Sequence, residues 1–407
     1  MPISLTKKPW TVMVYMAGDN SLDPEGVQDL KEMKKVGSTD KLNIVAQFDR
    51  AAGHVARRYY LRKGGIVTGD AVGSLGAVNT GDPKCLSDFI QWGVKNYPAD
   101  HYLLVLWNHG QGWDDTDIYA GERHRNLRRL ATGPIRHALF HTPVRRSLEQ
   151  AGSDQRTRAI LLDDNAKDFL DNLEMKKVVA GMAKLLKRKL DILGMDACLM
   201  SMAEVGYQIR DSADYTVGSE QTEPGEGWPY HTILGALAKN PAMTPRDLSA
   251  LIVNKYLASY GNADGVTQSA CDLSKAGALA LAVAELAAAL SASLSESASR
   301  QRILAVRNQV QSYEVPDNID LVDFCSLLAK AGADAATTTA CQHVVQAVKS
   351  AYVMAQGYKG GDMKHSNGLA IYFPLRSVSP LYAGLDFSKK TGWEAFLKAY
   401  LNVIRSR

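Results

Sequence analysis

The chain has 407 residues, 46% hydrophobic and 22% charged, the balance of a soluble globular protein with a large core. Its formal net charge of +4 is too weak to argue for nucleic acid by itself. Five cysteines, odd in number and widely spaced with no C-x-x-C, argue against a disulfide framework and a structural zinc site.

Residues 10–17, WTVMVYMA, read as a buried strand that turns at Gly-Asp-Asn, and the apolar stretch at 12–17 is shorter than the roughly 7 to 15 residues of a leader. No run approaches the roughly 18 apolar residues of a membrane helix. The expectation is a cytoplasmic protein as the chain is written, secreted if a leader has been removed, with no membrane partner. Residues 21–36 have helical spacing, 42–49 form a second strand, and 56–63 alternate like an edge strand or hairpin partner. Residues 82–98 form a helix with an aspartate near its start and a proline after its end. Continuous apolar strands follow at 102–107, 190–195 and 214–219, with a basic amphipathic helix near 166–189.

The last 170 residues or so are richer in helix, including an alanine-rich one at 276–292 flanked and broken by Lys275 and Glu285. They still offer strands at 265–273 and 367–373 that would extend the sheet. This order predicts an α/β fold: a mostly parallel central sheet flanked by helices, with a helix-rich C-terminal region. The expected division is a catalytic domain over 1–240 and a C-terminal region over 241–407.

Residues 114–158 read as an exposed insertion. From 123 to 158 there are nine arginines, no lysine, and only Glu149 and Asp154 as acids. A nucleic-acid patch would show aromatic interleaving beyond Phe140, so no specific nucleic-acid partner is expected.

Sites in open α/β sheets form outside the carboxyl ends of parallel strands. Here one strand runs into Asn108-His109-Gly110-Gln111-Gly112-Trp113, a second into Asp196-Ala197-Cys198, and a third into Glu220, Glu223 and Glu226. A cysteine paired with an imidazole becomes a nucleophile at neutral pH, and the imidazole then protonates the leaving amine. The glycines beside His109 suit a tight turn, and their amides can approach an oxyanion, as can the amide of Cys198 at the start of a helix. Asp196 lies two residues before the thiol, on the same side if strand geometry persists, where it could receive a guanidinium. Each residue also has an ordinary reading: a packed thiol, a loop histidine, a helix-capping aspartate and solvated glutamates.

The stretches WTVMVYMAGDNSLD at 10–23, GDPKCLSDFIQW at 81–92, LLVLWNHGQGW at 103–113, the long block at 193–230 and NGLAIYFP at 367–374 resemble the clostripain family of cysteine peptidases, in the larger group with caspases, legumains and gingipains. The resemblance implies a caspase-like fold. It implies that His109 is the catalytic histidine, Cys198 the nucleophile, and Asp196 part of a pocket for arginine or lysine before the cleaved bond. The oxyanion would rest on the amides of Gly110 and Cys198, and Glu220, nearest its strand end, would deepen the basic pocket. Partners would be proteins or peptides with basic residues.

Relatives often cut themselves at a basic residue in the loop after the histidine, and the two chains stay together. Arg123, Arg125, Arg128 and Arg129 are the matching candidates here. No cofactor is required; calcium is implied through clostripain itself, with Asp114, Asp115 and Asp117 in a spacing that only loosely resembles a calcium loop. The alternative is a catalytically inactive caspase-like binding or scaffold protein. A third reading, an arginine-rich nucleic-acid binder, rests on the insertion alone and would show steep salt dependence.

Overall fold

The computed structural model describes residues 6–114 and 160–405. The chain forms two compact units: one takes in residues up to 178 with 224–242, the other 179–223 with 243–407.

In the first unit, β1 (Lys8–Gly18), β2 (Leu42–Arg50) and β5 (Ala99–Trp107) run parallel, with β1 between the other two. Their apolar runs are continuous because helices cover both faces of such a sheet. β3 (Ala56–Tyr60) returns antiparallel on β2, and β4 (Ala71–Gly76) pairs with β3. Helix α1 (Asp23–Val36) opens with a proline in its first turn. Helix α2 (Pro83–Asn96) opens on Asp82, whose carboxylate accepts the Lys84 amide at 2.7 Å. β6 (Ile160–Asp163) and β7 (Asp168–Leu170) form a separate antiparallel pair. The helix expected near 166–189 therefore begins later, at Asn172–Leu186, because residues 168–170 pair with β6.

In the second unit, β8 (Leu190–Asp196) is parallel to β9 (Ala213–Gly218). β10 (Thr267–Asp272) runs antiparallel to β9, and β12 (Val353–Tyr358) antiparallel to β10. The α/β expectation holds, with a parallel core and antiparallel additions. One extension fails: β13 (Ala370–Tyr372) pairs with β11 (Asn318–Asp320) in a small sheet of its own. Among the described residues one helical stretch, Leu273–Ser293, is long and apolar enough to cross a membrane by length and composition. It packs against Ala335–Ala347, Asp386–Thr391 and Trp393–Arg405, as a core helix does.

Candidate active site

His109 follows β5 in the first unit and is half-buried. Its position is fixed by its neighbour. The buried Asn108 side chain donates to the carbonyls of Ala17 and, at 3.1 Å, of Leu162, and accepts the Leu162 amide at 3.1 Å. It also accepts the His109 amide. One amide side chain thus ties the ends of β5, β1 and β6 together, which is why an asparagine suits this position. The His109 Nε2 lies 3.3 Å from the Ser21 hydroxyl. Gly110 forms an antiparallel bridge with Ile160, and Gly112 turns the chain at φ +73°. Asn172 then donates to the carbonyls of Gly112 at 3.3 Å and Trp113 at 3.0 Å.

Cys198 lies in the second unit, two residues past β8, and is half-buried. The expected helix start does not fall here: residues 197–202 are irregular and the helix begins at Ala203. The thiol sits on a turn instead. Leu199 adopts φ +64°, a left-handed conformation that costs a non-glycine residue about 1–3 kcal/mol and persists only when its surroundings fix it. Here the Leu199 amide donates to the Gln221 carbonyl at 3.1 Å and the Ser201 amide to the Ser219 carbonyl at 2.9 Å. The Glu223 amide donates to Cys198 Sγ at 3.2 Å, and the thiol faces the Glu223 carbonyl at 3.8 Å.

Burial pushes this thiol up to about 12; the Glu223 amide opposes the shift, and the negative charges of Glu223 and Asp196 add to it. Those charges place two acids around the sulfur. Asp196 is buried at the end of β8. The Glu223 side chain accepts Gln268 Nε2 at 3.2 Å. Tyr256, fully buried, brings a hydroxyl with no hydrogen-bond partner among the described residues into the same field of Glu223, Asp196 and Cys198.

Glu220 has other partners. It is 2% exposed, and its two oxygens accept the Tyr313 hydroxyl at 2.7 Å and the Gly368 amide at 3.0 Å. Its carboxyl is occupied inside the protein, and the acid whose backbone meets the thiol is Glu223. Sequence reading had Glu223 among its acids but no local signal to choose it, and none for Tyr256. Arg123, Arg125, Arg128, Arg129, Asp115 and Asp117 lie outside the described residues. Among the described residues no group of three or more histidines, cysteines or acids is arranged to hold a metal ion.

The clostripain family model of C11 peptidases matches residues 14–143 and 147–400. Clostripain from Hathewaya histolytica is 28% identical over 253 residues, covering 55% of this chain and 41% of that protein. The match thus takes in under half of that relative's length. A secreted C11 cysteine protease from Bacteroides thetaiotaomicron, in complex with an irreversible peptide inhibitor, superposes with a TM-score of 0.61 at 20% identity, covering 96% of this chain and 99% of that one. An inactive zymogen C11 protease from Parabacteroides distasonis superposes with a TM-score of 0.61 at 23% identity, covering 95% and 99%. At these identities the two structures show a shared fold, the caspase-like α/β arrangement expected above. With a family model matched along nearly its whole length, the chain belongs to the clostripain family of cysteine peptidases.

Proposed function

We propose that this protein is a cysteine endopeptidase that cleaves after arginine, less often lysine. The observation that carries this reading is the Cys198 turn, in a chain of the clostripain family: a half-buried thiol held by the Glu223 backbone, with Asp196 at the end of the same strand. In the first step His109 takes the thiol proton and Cys198 attacks the scissile carbonyl. The amides of Gly110 and Cys198 hold the oxyanion while the tetrahedral intermediate lasts. His109 then gives its proton to the leaving amine, and water hydrolyses the thioester. Asp196 receives the substrate's basic side chain; a guanidinium offers it two parallel hydrogen bonds, which favours arginine. No cofactor enters these steps.

The test is hydrolysis of two fluorogenic peptides, one ending in arginine and one in aspartate. Cleavage of the arginyl peptide alone is expected. No cleavage of either, after calcium is added and the arginine-rich insertion is nicked with trypsin, would replace this reading with a non-catalytic scaffold.

The same specificity predicts self-processing in the insertion, at Arg123, Arg125, Arg128 or Arg129, with the two chains remaining associated. On a denaturing gel, wild type should give two fragments and Cys198→Ala one full-length band. The same fragments in both would mean that another protease does the cutting.

A further inference from the structure

Two carboxyl groups of the second unit share one dry site, Glu220 at 2% exposure and Asp320 at 0%. Asp320 accepts three N–H groups: the Asp323 amide at 2.6 Å, the Asn367 side chain at 3.0 Å and the Asn367 amide at 2.5 Å. Glu220 accepts one amide, from Gly368, and the Tyr313 hydroxyl. That hydroxyl also lies 3.4 Å from Asp320, so both carboxyls meet around one phenol. The richer set of donors makes Asp320 the better anion. A second anion beside it would be costly, so Glu220 keeps the proton and offers it to Asp320. Burial raises both groups, Asp320 to about 6 and Glu220 well above the ordinary carboxyl range, the latter helped by the Asp320 charge.

The pair sits at a crossing of segments that fix the thiol. Residues 219–223 carry Glu220 and run alongside 198–201 through the Ser219 and Gln221 carbonyls and the Glu223 amide. Gly368, bonded to Glu220 through its amide, accepts the Ser201 hydroxyl at 2.9 Å through its carbonyl. Its φ of +89°, and the 2.8 Å that a Cβ would leave to the Gln356 Cβ, restrict this position to glycine. Both walls of the Cys198 turn therefore end on one carboxyl group.

We propose that Glu220 and Asp320 form a carboxylic acid–carboxylate pair that positions the Cys198 turn, and that loss of the shared proton loosens it. Glu220 is then a positioning residue that acts through residues 219–223. The catalytic consequence rests on the reading of Cys198 as the nucleophile; the structural consequence does not. The titratable groups that face the pair are Tyr313, Cys271 on β10 and Cys325 on the helix Leu321–Lys330. Asp323 and His365 flank it, the former with its carboxylate on the Gln311 amide at 2.8 Å. A carboxyl raised on folding stabilises fully at low pH and loses that contribution as pH rises through its folded value. Loosening therefore comes as pH rises above the ordinary carboxyl range.

The experiment is hydrogen exchange on the intact chain from about pH 6 to about pH 9, read as protection factors at 198–202 and 219–223, with kcat and KM measured in parallel. In wild type, protection should fall by about tenfold or more across that range. Glu220→Gln cannot ionise; it keeps a donor for Asp320 and an acceptor for Tyr313 but leaves the Gly368 amide without its acceptor, so its protection should start lower than wild type and stay flat with pH. Asp320→Asn removes the neighbouring anion and should move the wild-type break to lower pH. In wild type kcat should fall with protection while KM holds. Flat protection in wild type, or Glu220→Gln tracking wild type, would overturn the proposal. Hydrolysis that survives Cys198→Ala would instead sink the nucleophile assignment and leave the exchange result standing.

Discussion

Replacing Cys198 with alanine is expected to lower kcat/KM on an arginyl peptide by about 10⁴-fold or more, because no other atom at this turn can form the acyl intermediate. What remains is the polarisation supplied by backbone amides and substrate binding. Alanine also takes away the acceptor of the Glu223 amide, a loss worth about 1–3 kcal/mol if that group stays dry. Cys198→Ser separates the two effects. Its hydroxyl keeps an acceptor for the amide, so its thermal midpoint should stay nearer to wild type, yet it is a far weaker nucleophile and should be as inactive as alanine within about tenfold. Initial rates and melting curves on the three proteins check this. Either variant within tenfold of wild-type rate would remove Cys198 from the mechanism. The same burial sets the thiol's own chemistry. With its titration near 12, alkylation by a small neutral reagent should climb about tenfold per pH unit between about pH 6 and pH 9 with no plateau.

The parts of this protein that were legible in its sequence are those where one local pattern decides the outcome. β1, β5 and β8 are continuous apolar runs because both faces of each are covered, and the two polar blocks after β5 and β8 fall at strand ends as the pattern requires. β4 was invisible for the opposite reason: AVGSLG is exposed along most of its length and carries no hydrophobic period. Residues 168–170 join an amphipathic sequence that continues into a helix, and only pairing with β6 draws them out of it. The Cys198 turn could not be read as a turn. Its left-handed leucine is imposed by Gln221, 22 positions away in the chain, and not by Leu199's own preferences. The partners of Glu220 were hidden for the same reason. Its nearness to the strand end is a local fact, whereas its partners Tyr313 and Gly368 lie 93 and 148 positions along the chain. Local sequence placed the two polar blocks at strand ends, and long-range hydrogen bonds decided which acid meets the thiol.

Asp196→Asn should move two measurements in opposite directions. The side chain is buried at the end of β8, and its charge is one of the causes that hold the Cys198 thiol high. Asparagine keeps the size and removes the charge. Loss of one member of a desolvated charge pair costs about 2–5 kcal/mol, so kcat/KM on an arginyl peptide should fall by about 30-fold or more. At the same time the thiol loses one of the negative neighbours that oppose its ionisation, its titration drops from about 12, and alkylation at a fixed pH should quicken. Glu223 remains beside the sulfur, so the drop is partial. Damage to the fold would slow both processes or scatter them, whereas a pocket carboxylate that also faces the thiol must split them. If arginyl hydrolysis is untouched while alkylation quickens, the basic side chain is read elsewhere and Glu223, with the unsatisfied Tyr256 hydroxyl in the same field, is where to look. If both rates fall together, Asp196 is a structural support of the β8 end, and arginine specificity has to be argued from other residues.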